Sequence, residues 1–196
     1  MIKRLLKYYI KNIIWNDYYI LELKELFNEL NKYEYIIIKT DTPYSPKNFP
    51  NEYPIGKDLD IFSSEKDYKK VNEVLFDFAD KYKNKFNIRV IEQDAKYRVR
   101  LEKFGQLYYQ LDNNYLTDNN ISYVFIEDAI QNKIFVNGYY TIPIEYEIVF
   151  RLSEIKSYPH KKHHIDYVKK NLDKVNVTII PENLTNVFFK IKKGEL

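Results

Sequence analysis

Apolar residues change their period several times along this chain, and each change marks an element. Near the start, Leu5, Tyr9 and Ile13, with Leu6, Ile10 and Ile14 beside them, recur at helical spacing and predict an amphipathic helix that carries Lys3, Arg4, Lys7 and Lys11. Ile20, Leu23, Phe27 and Leu30 keep one face of a second helix apolar. Tyr35 to Lys39 (YIIIK) is then a continuous apolar run, short enough to read as a buried strand. Between Thr40 and Lys57 the period vanishes. Pro43, Pro46, Pro50 and Pro54 fall there, so this stretch reads as a long irregular loop, and loops of that length inside a compact domain are often functional.

Alternation returns at Asp58-Leu59-Asp60-Ile61-Phe62, a short strand, followed by a helix whose apolar face is Val71, Val74, Leu75, Phe78 and Tyr82. NIRVIE, YRVRL and QLYYQLD alternate as three more strands; Lys103-Phe104-Gly105 turns the last two into a hairpin, and Asn137-Gly138 turns KIFV back onto YYTI. From Pro143, placed in a first helical turn, the period is helical again, with Ile148, Leu152 and Ile155 on one side. HKKHHIDYVKKNL predicts another helix. NLTNVFFKIKK places Leu184, Val187, Phe188 and Ile191 at helical spacing, with a strand as the alternative. The expected fold class is α+β: a mixed or antiparallel sheet flanked by helices over 1–142, then a helical part over 143–196 packed on it.

Composition narrows the function classes. The 196 residues carry 31 Lys+Arg against 28 Asp+Glu, a net charge of +3 that makes no case for nucleic acid. With no Cys, a disulfide framework, a thiolate nucleophile and a sulfur-bound zinc are all excluded. Charges interrupt the N-terminal apolar residues too often for a signal peptide or a transmembrane segment, so a cytoplasmic protein is expected. No P-loop, Rossmann glycine pattern or serine nucleophile elbow is present. Trp15 reads as helix packing.

The candidate chemistry lies in carboxylates. Asp58 and Asp60 stand two apart on one strand, so they share a face, with Cα atoms about 6 to 7 Å apart, and could share a hard cation such as Mg²⁺ or Mn²⁺. Asp112 ends another strand on the face of Tyr108 and Gln110 and could bring a third acid, holding a second metal or acting as the base for an attacking hydroxyl. Glu92, Glu102, Glu127 and Asp128 are rivals at other strand edges. A D-x-D strand is also what any half-buried strand with a wet face looks like.

The order YIIIK, GKDLDIF, helix, QLYYQLD resembles the nucleotidyltransferase superfamily with a DNA polymerase β-like core. Within it, the chain is most similar to small bacterial nucleotidyltransferase-like proteins found with surface-polysaccharide genes, whose helix EYEIVFRLSEIKSYPHKKHHIDYVKKNL resembles. The resemblance covers roughly Tyr35 to Leu172, and GKDLDIF is its most specific motif. It implies metal on Asp58 and Asp60, Asp112 as third acid, a nucleotide donor and a small or carbohydrate acceptor. One departure matters: where the superfamily follows its first strand with Gly-Gly or Gly-Ser, this chain has Lys39-Thr40-Asp41-Thr42. Lys39 or Lys57 would then bring charge to a phosphate in place of a backbone cradle, or be a solvated loop lysine.

Arg98 and Arg100 share one sheet face and could grip a phosphate if it is the acid face; otherwise they are solubilising charges. Tyr44, Phe49 or Tyr53 of the proline-rich loop is expected to pack on a base or sugar. His160 and His164 have the i, i+4 spacing of a zinc pair, with Asp166 the nearest acid, but the cluster that contains them, with Lys161, Lys162 and His163, reads rather as a phosphate contact or a solvated helix start. The readings that compete with a nucleotidyltransferase are a non-catalytic binding module that keeps the fold and a carboxylate-pair glycosidase, which needs its acids separated across a cleft.

Overall fold

The computed structural model describes residues 21, 23–40, 49–51, 53, 56–116 and 120–196. The helix expected around Leu5 to Ile14, with Trp15, lies outside these residues, as do Pro43, Tyr44, Pro46 and Pro54. Helix α1 (Leu23–Leu30) leads into β1 (Tyr35–Ile38); β2 (Lys57–Ser63) is followed by α2 (Tyr68–Asp80), then β3 (Asn87–Gln93), β4 (Lys96–Lys103) and β5 (Gln106–Asn114). Next come α3 (Tyr123–Gln131), the short hairpin β6 (Ile134–Val136) and β7 (Tyr139–Thr141), and α4 (Ile144–Ser157), α5 (Lys162–Lys170) and α6 (Glu182–Lys192).

The seven strands form one mixed sheet in the order β3-β4-β5-β2-β1-β7-β6, with β2 parallel to β5, β1 parallel to β7 and the remaining pairs antiparallel. Both tight turns depend on positive φ. Phe104 and Gly105 (φ 52° and 69°) close β4 on β5, and Asn137 and Gly138 (50° and 94°) close β6 on β7, which is the geometry that matches the twist of paired strands. On one sheet face, Leu26, Phe27 and Leu30 of α1 and Val71, Leu75 and Phe78 of α2 pack on Tyr35, Ile37, Leu59, Ile61, Val99 and Leu111. On the other, Ile126 and Ile130 of α3, Ile148 and Leu152 of α4 and Phe188 of α6 close over Ile36, Ile38 and Phe62. Strand β1 is therefore buried on both sides, which is why it reads as an unbroken apolar run.

Two expectations change and one open alternative closes. Glu127 and Asp128 stand on a helix, α3, not at a strand edge; Ser122 caps its first turn by accepting from the Phe125 N–H, and Ile126, Ala129 and Ile130 bury its inner face. Pro143 precedes α4 as its cap residue instead of lying within its first turn. The segment around Phe188 is helical, because Leu184, Phe188 and Ile191 all reach the second core. None of the described helices is long and apolar enough to cross a membrane.

Candidate metal centre

The sheet register assembles the acids. Strand alternation puts Asp58 and Asp60 of β2 on the face opposite Leu59 and Ile61, and parallel pairing sets Asp60 directly beside Asp112 of β5 and Asp58 beside Gln110. Asp58, Asp60 and Asp112 each offer one carboxylate oxygen such that the three lie within 4.8 Å of one another. No other group of three or more acidic, His or Cys side chains comes together in this way among the described residues, so the rivals Glu92 and Glu102 stay outside the cluster along with Glu127 and Asp128. Asp128 is instead bonded by the Tyr146 hydroxyl at 2.6 Å.

Exposure is graded across the three: Asp58 is exposed, Asp60 half-buried and Asp112 buried. Burial pushes the Asp60 carboxyl above the ordinary range; Lys39 opposes this, and Asp58 and Asp112 add to it. Tyr53 contributes a buried hydroxyl with no hydrogen-bond partner among the described residues. Burial first, then the charges of Asp58, Asp60 and Asp112, hold that phenol well above its usual value.

Cations of the chain already engage two of the acids. Arg98, the cross-strand partner of Asp112, grips it with Nε and Nη2 at 2.8 and 2.7 Å, and Lys96 Nζ lies 3.2 Å from the same carboxylate. Lys39 Nζ lies 3.2 Å from Asp60 and 2.7 Å from Glu154 of α4. Burial disfavours the Lys39 charge, but Asp60 and Glu154 overcome it and raise its pKa. Lys39 sits at φ 60°, in the left-handed region, where its backbone N–H donates to both Glu147 oxygens at 3.1 and 3.0 Å.

The network continues into the helices. Glu154 accepts from Lys161 at 3.0 Å, Arg151 donates to Glu147 at 2.7 Å, and Arg151 contacts His164 Nδ1 at 3.0 Å. Burial raises the Glu154 pKa, yet Lys39 and Lys161 bring it down to about 2. Burial and the adjacent Arg151 depress His164 to about 3, so that ring is neutral.

The donor set fits a hard divalent cation. Octahedral Mg²⁺ with bonds of about 2.1 Å needs oxygens roughly 3 to 4 Å apart, a small closure from the present spacing, and Asp112 Oδ1, which accepts from Arg98 Nε, keeps a second lone pair. Asp58, with no carboxylate-bound cation among the described residues, is the open side of the site.

The structure places the remaining sequence candidates as follows. Arg100 lies on the acid face, with Nε on Gln110 Oε1 at 2.8 Å. Lys57 opens β2, and its side chain is outside the described residues. Lys161 reaches Glu154, over the Tyr158 ring. His160 precedes α5, while His164 points into the core, so the pair does not form a zinc face. Phe49 and Tyr53 are buried against Phe27, Tyr139 and Tyr109 and cannot stack on a base as expected; their rings are spent on the core beneath the loop. Sequence reasoning missed Glu147, Arg151, Glu154 and Lys96. A signal was present: Glu147, Arg151 and Glu154 recur at helical spacing beside Ile148, Leu152 and Ile155, which places charge on a buried stripe.

No protein-family model and no curated protein matches the chain. Among solved structures, the polyadenylate synthase of Megavirus aligns over 88% of this chain with 14% identity and a TM-score of 0.31. The match covers 36% of that enzyme, so this chain spans about a third of its length.

Proposed function

We propose that this protein is a divalent-metal-dependent enzyme of the nucleotidyltransferase type, moving a nucleotidyl or phosphoryl group from a nucleotide to a small or carbohydrate acceptor. The observation that carries the proposal is the convergence of Asp58, Asp60 and Asp112 within 4.8 Å, built by a D-x-D strand and a parallel neighbour in register. Mg²⁺ or Mn²⁺ held there would neutralise charge on a transferring phosphoryl group and its leaving group. Asp58 and Asp60 are the ligands from one strand. Asp112, oriented by the Arg98 fork, supplies the third carboxylate at a fixed position. Lys39 ties Asp60 to α4 and so sets the ligand's direction. A carbohydrate acceptor in surface-polysaccharide synthesis is the finer reading that the family resemblance implies.

One observation favours a second reading, a binding module that retains the fold: Lys39 on Asp60 and Arg98 with Lys96 on Asp112 already balance two of the three acids. Thermal unfolding with Mn²⁺, alone and with a panel of nucleoside triphosphates and nucleotide sugars, separates the two. An enzyme of the proposed type gains several degrees by mass action, and Asp58→Asn and Asp60→Asn lose that gain together with any nucleotidyl transfer to sugars. No response to metal or nucleotide in the wild type would favour the module.

A further inference from the structure

The sheet register sets out a second feature beside the acids. Read across the strands on the acid face, one row runs Arg89, Arg100, Gln110, Asp58, and the next runs Ile91, Arg98, Asp112, Asp60. In the second row the guanidinium of Arg98 is answered by its neighbour's carboxylate. In the first row the equivalent neighbour is the neutral Gln110, which takes only Nε of Arg100. Arg89 stands directly opposite Arg100 on β3, and among the described residues neither forms an ion pair. Two like charges facing one another across a strand pair are destabilising unless an anion lies between them.

Among the described residues this face is accessible at β3 and β4, whereas Gln110 and Asp112 on β5 are buried. The helices that close over Ile36, Ile38 and Phe62 form an apolar cluster with no residue from β3, β4 or β5. Arg89 is exposed and Arg100 half-buried. With strands about 4.8 Å apart, Arg100 is two strands from Asp58 and Arg89 three, within reach of one extended polyphosphate or of a metal-bound phosphate and its neighbour.

We infer that Arg89 and Arg100 form a phosphate subsite next to Asp58, so that the substrate of the proposed site carries a phosphate lying across β4 and β3. The inference rests on the reading of the three acids as a metal site and names what lies beside it. Guanidinium pairs recognise phosphate oxygens through forked, charge-assisted bonds, and a sheet face holds them at fixed separation.

Isothermal titration of the full chain tests it with inorganic triphosphate, standing for the tail of a nucleotide donor, and with glucose 1-phosphate, standing for a phosphorylated acceptor. Each is run with Mn²⁺ and with EDTA. Binding of at least one probe, weakened about tenfold by Arg89→Gln and about tenfold by Arg100→Gln, is expected. The control Lys69→Gln with Lys85→Gln, which removes two positive charges from exposed positions elsewhere, should leave affinity within about twofold. Triphosphate dependence assigns the subsite to the donor, and monophosphate dependence assigns it to the acceptor. Equal affinity in wild type and both arginine variants, or no binding of either probe, overturns the inference even if Mn²⁺ binds through Asp58. Arginine-dependent binding that is the same in EDTA, with no Mn²⁺ affinity, keeps the subsite and removes the metal reading.

Discussion

Lys39→Met removes a cation that joins the candidate metal centre to the helical part, and two opposite effects follow. Lys39 Nζ lies 3.2 Å from Asp60 and 2.7 Å from Glu154, with about a fifth of each side chain exposed. Deleting one partner of a fully buried ion pair costs about 3 to 5 kcal/mol. Here Glu154 keeps Lys161 at 3.0 Å, and both sites retain some water, so a loss of about 2 to 3 kcal/mol is expected. In a chain of this size that lowers the melting temperature by about 4 to 12 °C. Metal affinity moves the other way. Asp60, freed from an ammonium, becomes a better ligand, so the Tm gain produced by millimolar Mn²⁺ should be larger in Lys39→Met than in the wild type. Differential scanning calorimetry with and without Mn²⁺ measures both effects on one sample. Unchanged stability in EDTA would refute the bridging role of Lys39. Reduced stability with no increase in the Mn²⁺ response would refute the competition between ammonium and metal at Asp60.

The acids themselves should separate by burial. Asp112→Asn breaks the Arg98 fork and leaves a guanidinium short of its charge partner, costing about 2 kcal/mol by urea unfolding, whereas the exposed Asp58→Asn should change stability by under about 0.5 kcal/mol. The buried ring of His164 gives a pH dependence with a definite sign. Its pKa is depressed in the folded state to about 3, so between that value and 6.5 the unfolded chain binds the extra proton. Stability contributed by the neutral ring is complete above pH 6.5 and falls by up to about 1.4 kcal/mol per pH unit as pH drops through this window. His164→Gln, followed by urea unfolding from pH 7 to 4, should flatten that slope.

Strand and helix periods were legible because each depends on local geometry. Leu59 and Ile61 must share a face opposite Asp58 and Asp60 in any strand, and Phe104-Gly105 and Asn137-Gly138 can turn tightly because Gly105, Asn137 and Gly138 accept positive φ readily. The D-x-D pair was therefore visible at once. What the sequence could not determine is which strands become neighbours, since β2 and β5 pair across α2, β3 and β4. That parallel register brings Asp112 beside Asp60 and Gln110 beside Asp58, while the antiparallel β4–β5 register sets Arg98 on Asp112 and Arg100 beside the neutral Gln110.

The helices show the same division. Ile148, Leu152 and Ile155 predicted an inward face for α4, but the period counts Glu147, Arg151 and Glu154 as polar and cannot tell that tertiary packing buries the first two and half-buries the third. They are tolerated there because Lys39, His164 and Lys161, from distant or separate elements, arrive to pair with them. Phe49 and Tyr53 made the opposite error visible. A proline-rich loop with aromatic residues reads as a binding wall, yet both rings are buried, because the sheet face beneath had apolar area to cover. Local pattern determined the elements and one face of each. Long-range pairing, which no period encodes, decided which charges meet and which remain open to a ligand.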